Sequence, residues 1–307
     1  MFLVCGEALM DVFSMGDTPT GVALDARVGG SPLNVAVGLA RLAQPVAFYG
    51  GLSSDFLGER LARALAQEGV ELGHAPRLDA PTTVSLVGLN ARGVPSYAFL
   101  GHGAADRQVR IDTLPPAGLF RAVHVGSYAT VVEPVAGTQR ALIEREQGRA
   151  LIAYDPNIRL NVEPRLQAWL DQLEWMLPRT QLLKISDEDL GLLLPGTTPA
   201  VFAERALAAG VQLVVVTRGG EGALGWTRAH HAETAARPVT VIDTVGAGDT
   251  FQAALLTWLA ERDALSGAAL SALDGAQLLA LLEFAGAAAA ITCSRRGADL
   301  PHRRDLP

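Results

Sequence analysis

The sequence predicts an α/β protein built on a doubly wound, mostly parallel sheet. Strand-like apolar runs alternate with helical patterns along nearly the whole chain. This alternation is typical of βαβ units, in which helices cover both faces of a parallel sheet. Three pairs of segments show the pattern: a strand at 45–50 before a helix at 55–68, a strand at 122–125 before a helix at 133–147, and a helix at 200–209 before a strand at 213–217.

Two regions interrupt the alternation and predict a second, smaller β-sheet. Residues 12–28 have no helical period, and residues 82–100 are typical of a β-hairpin with its turn at 91–93. An exposed sheet needs a ligand or a second subunit to cover its apolar face. We therefore expect one α/β domain over residues 1–307, with lid segments at about 12–28 and 82–103 inserted in it.

Composition limits the classes of function. The chain has 307 residues, 49% of them hydrophobic, which is ample for a large core. A net charge of −7 argues against nucleic acid or an anionic membrane as a partner. No apolar run reaches the roughly 18 residues of a membrane span, and the N-terminus is typical of a first strand rather than a signal peptide. We expect a cytoplasmic protein whose two cysteines, Cys5 and Cys293, are buried free thiols.

The string Asp243-Thr244-Val245-Gly246-Ala247-Gly248-Asp249-Thr250-Phe251 carries the strongest chemical signal. It follows a β-branched run at 239–242, predicted to be a strand, and precedes a helical pattern at 251–259. Bare backbone N–H groups at a helix start can hold an anion, and Asp249 places a carboxylate there. This pairing suits phosphoryl transfer, although a capped strand-to-helix turn is the structural alternative.

A second candidate site lies near the N-terminus. The string Gly29-Gly30-Ser31-Pro32-Leu33-Asn34 precedes an apolar helix at 35–42. Ser31 is predicted to be the N-cap of this helix, and Pro32 suits its first position. Asn34 carries a donor and an acceptor that a polyhydroxylated ligand could use. Asp11, after the first strand, could accept two sugar hydroxyls, although a single Asp there is commonly a turn residue.

These motifs together resemble the ribokinase-like (PfkB) family of sugar kinases. The nine-residue string is similar to the family's C-terminal signature. Three further segments resemble the N-terminal hallmarks of the family: Gly6 to Asp11, the Gly29–Asn34 string, and Gly51-x-x-x-Asp55-x-x-Gly58. The resemblance runs from about residue 3 to 301. It implies a ribokinase-like fold with a β-sheet lid, and an ATP-dependent carbohydrate kinase that phosphorylates a primary hydroxyl.

The resemblance also implies roles for particular residues. Asp249 would be the catalytic base, and Gly246, Ala247 and Gly248 the anion hole. The sugar would be held by Asp11, Gly29, Gly30, Asn34, Arg159 and Asp249. ATP would be held by Lys184, Thr217, Gly219, Gly222, Gly246 and Gly248.

The implied metal sites depart from the family pattern in one place. The family's Asn-x-x-Glu motif, which arranges Mg²⁺, has Ser186 and Asp189 in its place here. A shorter Asp189 could still reach Mg²⁺ with ATP through one more water. A monovalent cation such as K⁺ is the second implied ion, bound near Asp243 and Val245.

The substrate is expected to be fructose. Asp155-Pro156-Asn157-Ile158-Arg159 resembles a segment of fructokinases and of 2-keto-3-deoxygluconate kinases, and Ala104–Asp106 and the tail 292–298 resemble fructokinases. Several relatives have an arginine before the Ala-Asp pair, where this chain has Gly101-His102. A sugar acid would need that cation, so its absence favours neutral fructose.

Alternative functions remain open at this level. Within the family they are 2-keto-3-deoxygluconate kinase and then ribokinase; outside it, a sugar or nucleotide sensor that has lost turnover. A nicotinamide dehydrogenase is excluded because Gly6–Asp11 does not supply the Gly-x-Gly-x-x-Gly turn. The resemblance leaves the chain either a monomer or a homodimer formed through the lid.

Overall fold

The strands belong to one large sheet, one small sheet and a two-stranded pair. The computed structural model describes residues 1–89 and 95–307. Its strands are β1 (Phe2–Cys5), β2 (Leu9–Thr18), β3 (Gly21–Gly29), β4 (Val46–Tyr49), β5 (Leu52–Ser53), β6 (Arg77–Leu78), β7 (Val84–Leu89), β8 (Pro95–Leu100), β9 (Ala122–Gly126), β10 (Leu151–Asp155), β11 (Leu182–Ser186), β12 (Leu213–Thr217), β13 (Ala223–Trp226) and β14 (His231–Thr234).

The large sheet is mostly parallel, as the sequence predicted. Its eight strands run in the order β14-β13-β12-β11-β10-β9-β1-β4. Every pair from β12 to β4 is parallel, whereas β13 and β14 add an antiparallel edge. The carboxyl ends of β1, β9, β10, β11 and β12 therefore lie side by side along one edge of the sheet.

Helices cover both faces of the large sheet. They are α1 (Ser31–Arg41), α2 (Phe56–Gln67), α3 (Val135–Glu146), α4 (Leu166–Met176), α5 (Asp187–Leu193), α6 (Pro199–Ala209), α7 (Ala247–Glu261), α8 (Gly267–Ser271) and α9 (Gly275–Cys293). One apolar core joins α1, α2, α7 and α9 to one face, and a second joins α3 to α6 to the other. Along β1, Val4 enters the first core while Leu3 and Cys5 enter the second, which confirms the doubly wound prediction.

The two irregular regions form the predicted small sheet. Its strand order is β3-β2-β7-β8, in which β2 pairs antiparallel with β3 and parallel with β7. β7 and β8 form the hairpin, and its predicted turn at 91–93 lies outside the described residues. Apolar side chains on β2 and β3 are exposed, with Met15 at 54%, Val22 at 54% and Leu24 at 57%. The apolar surface that the sequence predicted is therefore present.

Two carboxylates fix the start of β7 to the main domain. Asp55, the N-cap of α2, accepts hydrogen bonds from the backbone N–H of Thr82 at 2.8 Å and from its hydroxyl at 2.6 Å. Asp106 accepts one from the Thr83 hydroxyl at 2.5 Å and one from the Tyr128 hydroxyl at 2.8 Å. These bonds join the hairpin to elements on the carboxyl edge of the large sheet.

Two local predictions are wrong. Residues 239–242 are not a strand: Val241 and Ile242 are 61% and 62% exposed, and the Ile242 N–H donates to the Cys293 carbonyl at 2.8 Å. Pro238, just before them, has no N–H for a sheet ladder. Ser31 is not the N-cap of α1; Gly30 is, and the Ser31 side chain is used elsewhere.

Helix α9 resembles a membrane span in composition. It has 19 residues, and the mean hydropathy of 18 of them is 1.6, although Glu283 interrupts the apolar run. Leu278, Leu281 and Leu282 are fully buried, and α9 packs against α7 and the β13–β14 edge. The helix therefore belongs to the core of the domain.

Candidate active site

Asp249 lies in the first turn of α7, where the sequence placed it. It is 9% exposed. Its Oδ1 accepts a hydrogen bond from Ser31 Oγ at 2.6 Å, and its Oδ2 accepts one from Asn34 Nδ2 at 2.8 Å. Burial raises the pKa of Asp249, while these two hydrogen bonds and the charge of Lys184 lower it. Two side chains from the start of α1 thus fix the orientation of the carboxylate.

The turn before Asp249 presents backbone N–H groups. Gly246 has φ +78° and is the N-cap of α7, a conformation that glycine adopts without strain. The Ala247 N–H donates to the Thr244 carbonyl at 3.2 Å. Within residues 1–89 and 95–307, the N–H groups of Gly246, Gly248 and Asp249 have no such acceptor. The anion-binding capacity therefore lies mainly on the residues flanking Ala247.

A cavity of about 350 Å³ lies on one side of this turn, and we call it the polar cavity because several charged and amide side chains line it. Strands β2 and β3 of the small sheet contribute Asp11, Arg27 and Gly29, and the main domain contributes Asn34. Burial raises the pKa of Asp11, whereas the nearby Arg159 guanidinium lowers it. The structure thus brings Asp11, Gly29 and Asn34 together, as the sequence predicted.

The two glycines before α1 are needed for close contacts. A Cβ on Gly29 would lie 2.1 Å from Asp11 Oδ2, and one on Gly30 would lie 2.7 Å from the Glu7 carbonyl oxygen. Gly30 also has φ +109°, which side chains disfavour. Both positions therefore require glycine to keep α1 and Asp11 where they are.

Arg27 and Arg296 line the polar cavity, and two further arginines lie outside its lining. Arg159 is exposed, and its charge lowers the pKa of both Asp11 and Asp189. Arg107 was not predicted. Its guanidinium lies 5.2 Å from the Phe99 ring and 5.4 Å from the Tyr128 ring, and a Cβ on Gly101 would lie 2.8 Å from its Nη2. Gly101, at the position where several relatives have an arginine, therefore has the guanidinium of Arg107 beside it.

A larger cavity of about 530 Å³ lies on the other side of the turn. Thr217, Gly219 and Gly222 line one end, and Ala247 and Gly248 line the part next to the turn. The remaining wall is mostly small and apolar: Ala223, Ala235, Ala236, Pro238, Val239, Val241, Gly286, Ala289, Ala290 and Cys293. Such a cavity can accept a flat apolar ring with a phosphate chain directed toward the turn.

One expectation about the cysteines is corrected here. Cys5 is buried as predicted, but Cys293 is only half-buried, and its side chain lines the cavity. Arg218, next to Thr217, is paired with Glu233 at 2.5 Å, on β14.

Lys184, the only lysine in the sequence, is buried on β11. Its ammonium donates to Asp155 Oδ2 at 2.7 Å, and the side chains are 5% and 3% exposed. Burial, together with the charge of Lys184, lowers the pKa of His124 on β9 to about 3. A buried ion pair therefore lies at the carboxyl ends of β10 and β11, below the α7 turn.

The Ser186–Asp189 pair begins α5. Ser186 Oγ is the N-cap and accepts a hydrogen bond from the Asp189 N–H at 3.0 Å. Burial and the Asp155 charge raise the pKa of Asp189 to about 6. Asp155 Oδ1 is buried without a hydrogen-bond partner among the described residues. Two neighbouring carboxylates with a free oxygen suit Mg²⁺ bound partly through water.

The predicted monovalent-cation residues form a tight turn. Asp243 accepts hydrogen bonds from the Val245 N–H at 3.1 Å and the Gly297 N–H at 2.9 Å. Asp243 and Val245 line the polar cavity, whereas Thr244 lines the apolar one. Among the described residues, no group of three or more His, Cys, Asp and Glu side chains is arranged as a metal cluster. A site here would therefore depend on backbone oxygens.

Glu7 was missed by sequence reasoning. It is 2% exposed, and its Oε2 has no partner in the described part of the chain. Burial raises its pKa to about 8, so the buried group is largely protonated at neutral pH. Its neighbour Ser127 has φ +55°, a strained backbone for serine. The order Gly6-Glu7 after a first strand gave no signal of burial.

The fold and the site together define a phosphotransferase. A buried carboxylate at an N–H-rich helix start stands between a polar cavity and an apolar one. The chain belongs to the pfkB family of carbohydrate kinases, which it matches over residues 2–304. It has the family's ribokinase-like fold and is an ATP-dependent sugar kinase.

Several proteins similar to this chain are described as fructokinases. A fructokinase of Rhizobium leguminosarum bv. trifolii is 35% identical over 276 residues, covering 89% of this chain and 84% of the relative. The crystal structure of a fructokinase with bound ATP from Xylella fastidiosa has a TM-score of 0.88 at 27% identity, covering 100% of this chain and 94% of that one. A fructokinase from Vibrio cholerae O395 with fructose, ADP and a calcium ion has a TM-score of 0.78 at 27% identity, covering 97% and 94%.

Proposed function

We propose that this kinase is a fructokinase that transfers the γ-phosphoryl group of ATP to the primary hydroxyl of fructose, giving fructose 6-phosphate and ADP. One observation carries the proposal: Asp249 is held by Ser31 and by Asn34, which lines the polar cavity, and it directly follows Gly248, which lines the apolar cavity. The similarity to fructokinases supports the choice of sugar.

Asp249 acts as the catalytic base. Its two carboxylate oxygens keep lone pairs beyond those used by Ser31 and Asn34, so one can accept the proton of the attacking hydroxyl. The N–H groups of the Gly246, Ala247 and Gly248 turn stabilise the charge on the phosphoryl group in transit, with Gly246 and Gly248 contributing most. Proton acceptance and charge stabilisation are thus supplied by one turn of chain.

The polar cavity holds the sugar. Asp11 and Asn34 bind hydroxyl groups, and Gly29 and Gly30 let the backbone approach them. Arg159 lies near Asp11 and adds a donor at the edge of the site. These five residues place the acceptor hydroxyl against Asp249.

The apolar cavity holds ATP. Small side chains of α9 leave room for the adenine ring, and Thr217, Gly219 and Gly222 contact the phosphates together with Lys184, Gly246 and Gly248. Asp189, through water, and Asp155 would hold the Mg²⁺ that accompanies ATP and offsets phosphate charge. Backbone oxygens near Asp243 and Val245 would hold K⁺. The Vibrio cholerae fructokinase structure contains ADP and a calcium ion, which supports the use of a divalent ion together with the nucleotide.

The small sheet acts as a lid over the sugar. It inserts in a single domain, and its segments are residues 12–28 and 82–103. Two of its strands, β2 and β3, contribute walls to the polar cavity. The exposed Met15, Val22 and Leu24 support a homodimer formed through this lid. We further propose that the kinase works in the cytoplasm, on free sugar and ATP.

A second candidate substrate is 2-keto-3-deoxygluconate. The observation that favours it is Arg107, whose guanidinium lies beside Gly101, near the position where the sequence lacked a cation. Its charge is partly offset by the adjacent Asp106, whose pKa it lowers against the effect of burial. We place fructose first because the relatives at 35% and 27% identity are fructokinases.

A coupled ADP-release assay with Mg-ATP tests the proposal against fructose, 2-keto-3-deoxygluconate, ribose and glucose. We expect the highest kcat/KM with fructose. A preference for the keto acid would keep the kinase and overturn the substrate. An absence of turnover, combined with a thermal shift caused by sugar, would favour a sensor.

A further inference from the structure

Arg27 is a cation that the small sheet presents to the polar cavity. It lies on β3 directly opposite Asp11 on β2, in the antiparallel pair that these strands form. Opposite residues in such a pair point to the same face of the sheet, with their Cβ atoms about 5 Å apart. Both side chains line the polar cavity. A hydrogen-bond acceptor and a donor therefore lie side by side on one wall of the proposed sugar site.

Two neighbours hold the Arg27 guanidinium in place. Its Nε and Nη2 donate to Asp25 Oδ2 at 2.8 Å and 2.6 Å. Its central carbon lies 5.3 Å from the centre of the Phe13 ring, which makes a cation–π contact. Phe13 also lines the polar cavity. Because the guanidinium is fixed from two directions, it has little further freedom to lose when a ligand binds.

The guanidinium keeps N–H donors that these contacts do not use. It has five N–H groups, of which Asp25 takes one from Nε and one from Nη2. Within the described residues, Nη1 donates no hydrogen bond. A Cβ on Gly297, which lines the same cavity after α9, would lie 3.4 Å from Nη1. Nη1 is thus a free donor where the small sheet meets the main domain at the cavity wall.

Charge in the polar cavity favours a neutral polyhydroxylated ligand over an anion. Among the described residues, its charged lining consists of two arginines and two aspartates: Arg27, Arg296, Asp11 and Asp243. Asp25 further offsets the charge of Arg27. A sugar hydroxyl both donates and accepts hydrogen bonds, so neighbouring hydroxyls match a wall that offers a carboxylate beside an N–H group.

We propose that Arg27 is a sugar-binding residue that selects the substrate together with Asp11: one hydroxyl of the sugar donates to the Asp11 carboxylate, and a neighbouring hydroxyl accepts from Arg27 Nη1. Asp25 is the positioning residue that holds the guanidinium. This inference rests on the proposed function, in which the polar cavity holds the sugar. Both hydroxyls are remote from the bond that forms, so the contacts are equal in the ground and transition states and determine KM rather than kcat.

Arg27→Met removes the N–H donors and keeps an apolar side chain over Phe13. We expect KM for the sugar to rise about 10- to 100-fold, as for loss of a charged hydrogen bond, with kcat and KM for ATP unchanged. The melting temperature should change little, because a half-exposed ion pair contributes little to stability. The matched control is Arg77→Met, which removes an arginine that is 36% exposed and paired with Glu59 outside both cavities. Wild-type KM for the sugar in Arg27→Met would overturn the inference.

Asp25→Asn separates contact with the sugar from a structural role of the ion pair. It removes the charge of the partner but keeps an oxygen that accepts from Nε, so the Arg27 donors remain at the cavity. We expect a smaller rise in KM for the sugar than in Arg27→Met. An equal rise in both variants would assign the effect to the ion pair and would contradict a direct contact.

Sugars that each lack one hydroxyl test the contact itself. Wild type and Arg27→Met are compared on fructose, its 1-deoxy, 3-deoxy and 4-deoxy forms, and 2,5-anhydromannitol, which lacks the anomeric hydroxyl. We expect the loss in kcat/KM caused by Arg27→Met to disappear for one of these sugars, because its missing hydroxyl has no contact to lose. The same loss for every sugar would overturn the inference. If wild type prefers another sugar, the deoxy series of that sugar is used, so failure of the fructose assignment is distinguished from failure of the Arg27 contact.

Discussion

The two cavities on either side of the Gly246–Asp249 turn are built in different ways. In the polar cavity, proposed to hold the sugar and called the sugar side, Asp11, Arg27 and Asn34 supply charged and amide groups, and Asn34 contacts Asp249. In the apolar cavity, proposed to hold ATP and called the nucleotide side, most of the wall is made of small residues, and Arg237 is its one charged side chain among the described residues. Substitutions on the sugar side should therefore act by removing hydrogen-bonding groups, whereas substitutions on the nucleotide side should act by changing the volume of the cavity.

Asp249→Asn should have the largest effect on kcat of the substitutions considered, although it changes neither cavity. The amide keeps the volume and can still bond Ser31 but cannot accept the proton. We expect kcat to fall about 10²–10⁴-fold, the usual contribution of a general base. Fructose affinity, measured by calorimetry, should stay within a few-fold of wild type. Full activity in this variant would remove Asp249 from the role of base.

Asp11→Ala should affect the sugar side alone. Loss of charged hydrogen bonds worth about 1.5–3 kcal/mol predicts a rise in KM for fructose of about 10- to 100-fold. KM for ATP should not change. Asp17→Ala is the control, since Asp17 is an exposed carboxylate on the same strand. Equal sugar affinity in both variants would exclude Asp11 from the site.

Gly286→Leu should affect the nucleotide side alone. Gly286 lines the apolar cavity and has open space at its Cβ position, so leucine would occupy the volume proposed for adenine. We expect KM for ATP to rise about tenfold, equivalent to ~1.4 kcal/mol, with KM for fructose unchanged. Gly275→Leu, at the start of the same helix and also unobstructed, is the control. A rise in KM for fructose instead would show that the two cavities are not independent.

Glu7→Gln should have the smallest effect, and it should change the pH dependence of the free energy of unfolding. Its folded pKa of about 8 is above the ordinary value of 4.5, so the folded state holds a proton that the unfolded state releases. The stabilisation is complete below the unfolded pKa and is lost as pH rises toward 8, at up to about 1.4 kcal/mol per pH unit. The variant should show a flatter dependence of unfolding free energy on pH between 5 and 8. Parallel curves for the two proteins would contradict a buried, protonated Glu7.

Local patterns predicted much of the fold and of the catalytic turn. The alternation of strands and helices, the small sheet and the position of Asp249 all follow from short stretches of sequence. The strand predicted at 239–242 is absent because a β-branched composition favours a strand only where a neighbouring strand is available for pairing. The predicted N-cap role of Ser31 was wrong for a related reason. Its hydroxyl donates a hydrogen bond to Asp249, far along the chain, and does not cap α1.

Contacts between distant segments could not be predicted. Lys184 and Asp155 are on adjacent strands, and their pairing depends on the order of strands in the sheet. Arg107 follows the Ala-Asp segment in the sequence, and only the fold brings its guanidinium beside Gly101, which precedes that segment. Burial of Glu7 is likewise a tertiary property, because a charged residue after a strand is more commonly exposed.

The position of the phosphate on the product tests the central claim most directly. Proton-coupled ³¹P NMR of the products from fructose and Mg-ATP distinguishes fructose 6-phosphate from other esters. The proposed fructokinase reaction predicts phosphate on the primary hydroxyl at C6 and none on the primary hydroxyl at C1. Phosphate at another carbon, or release of inorganic phosphate with no sugar ester, would contradict the account.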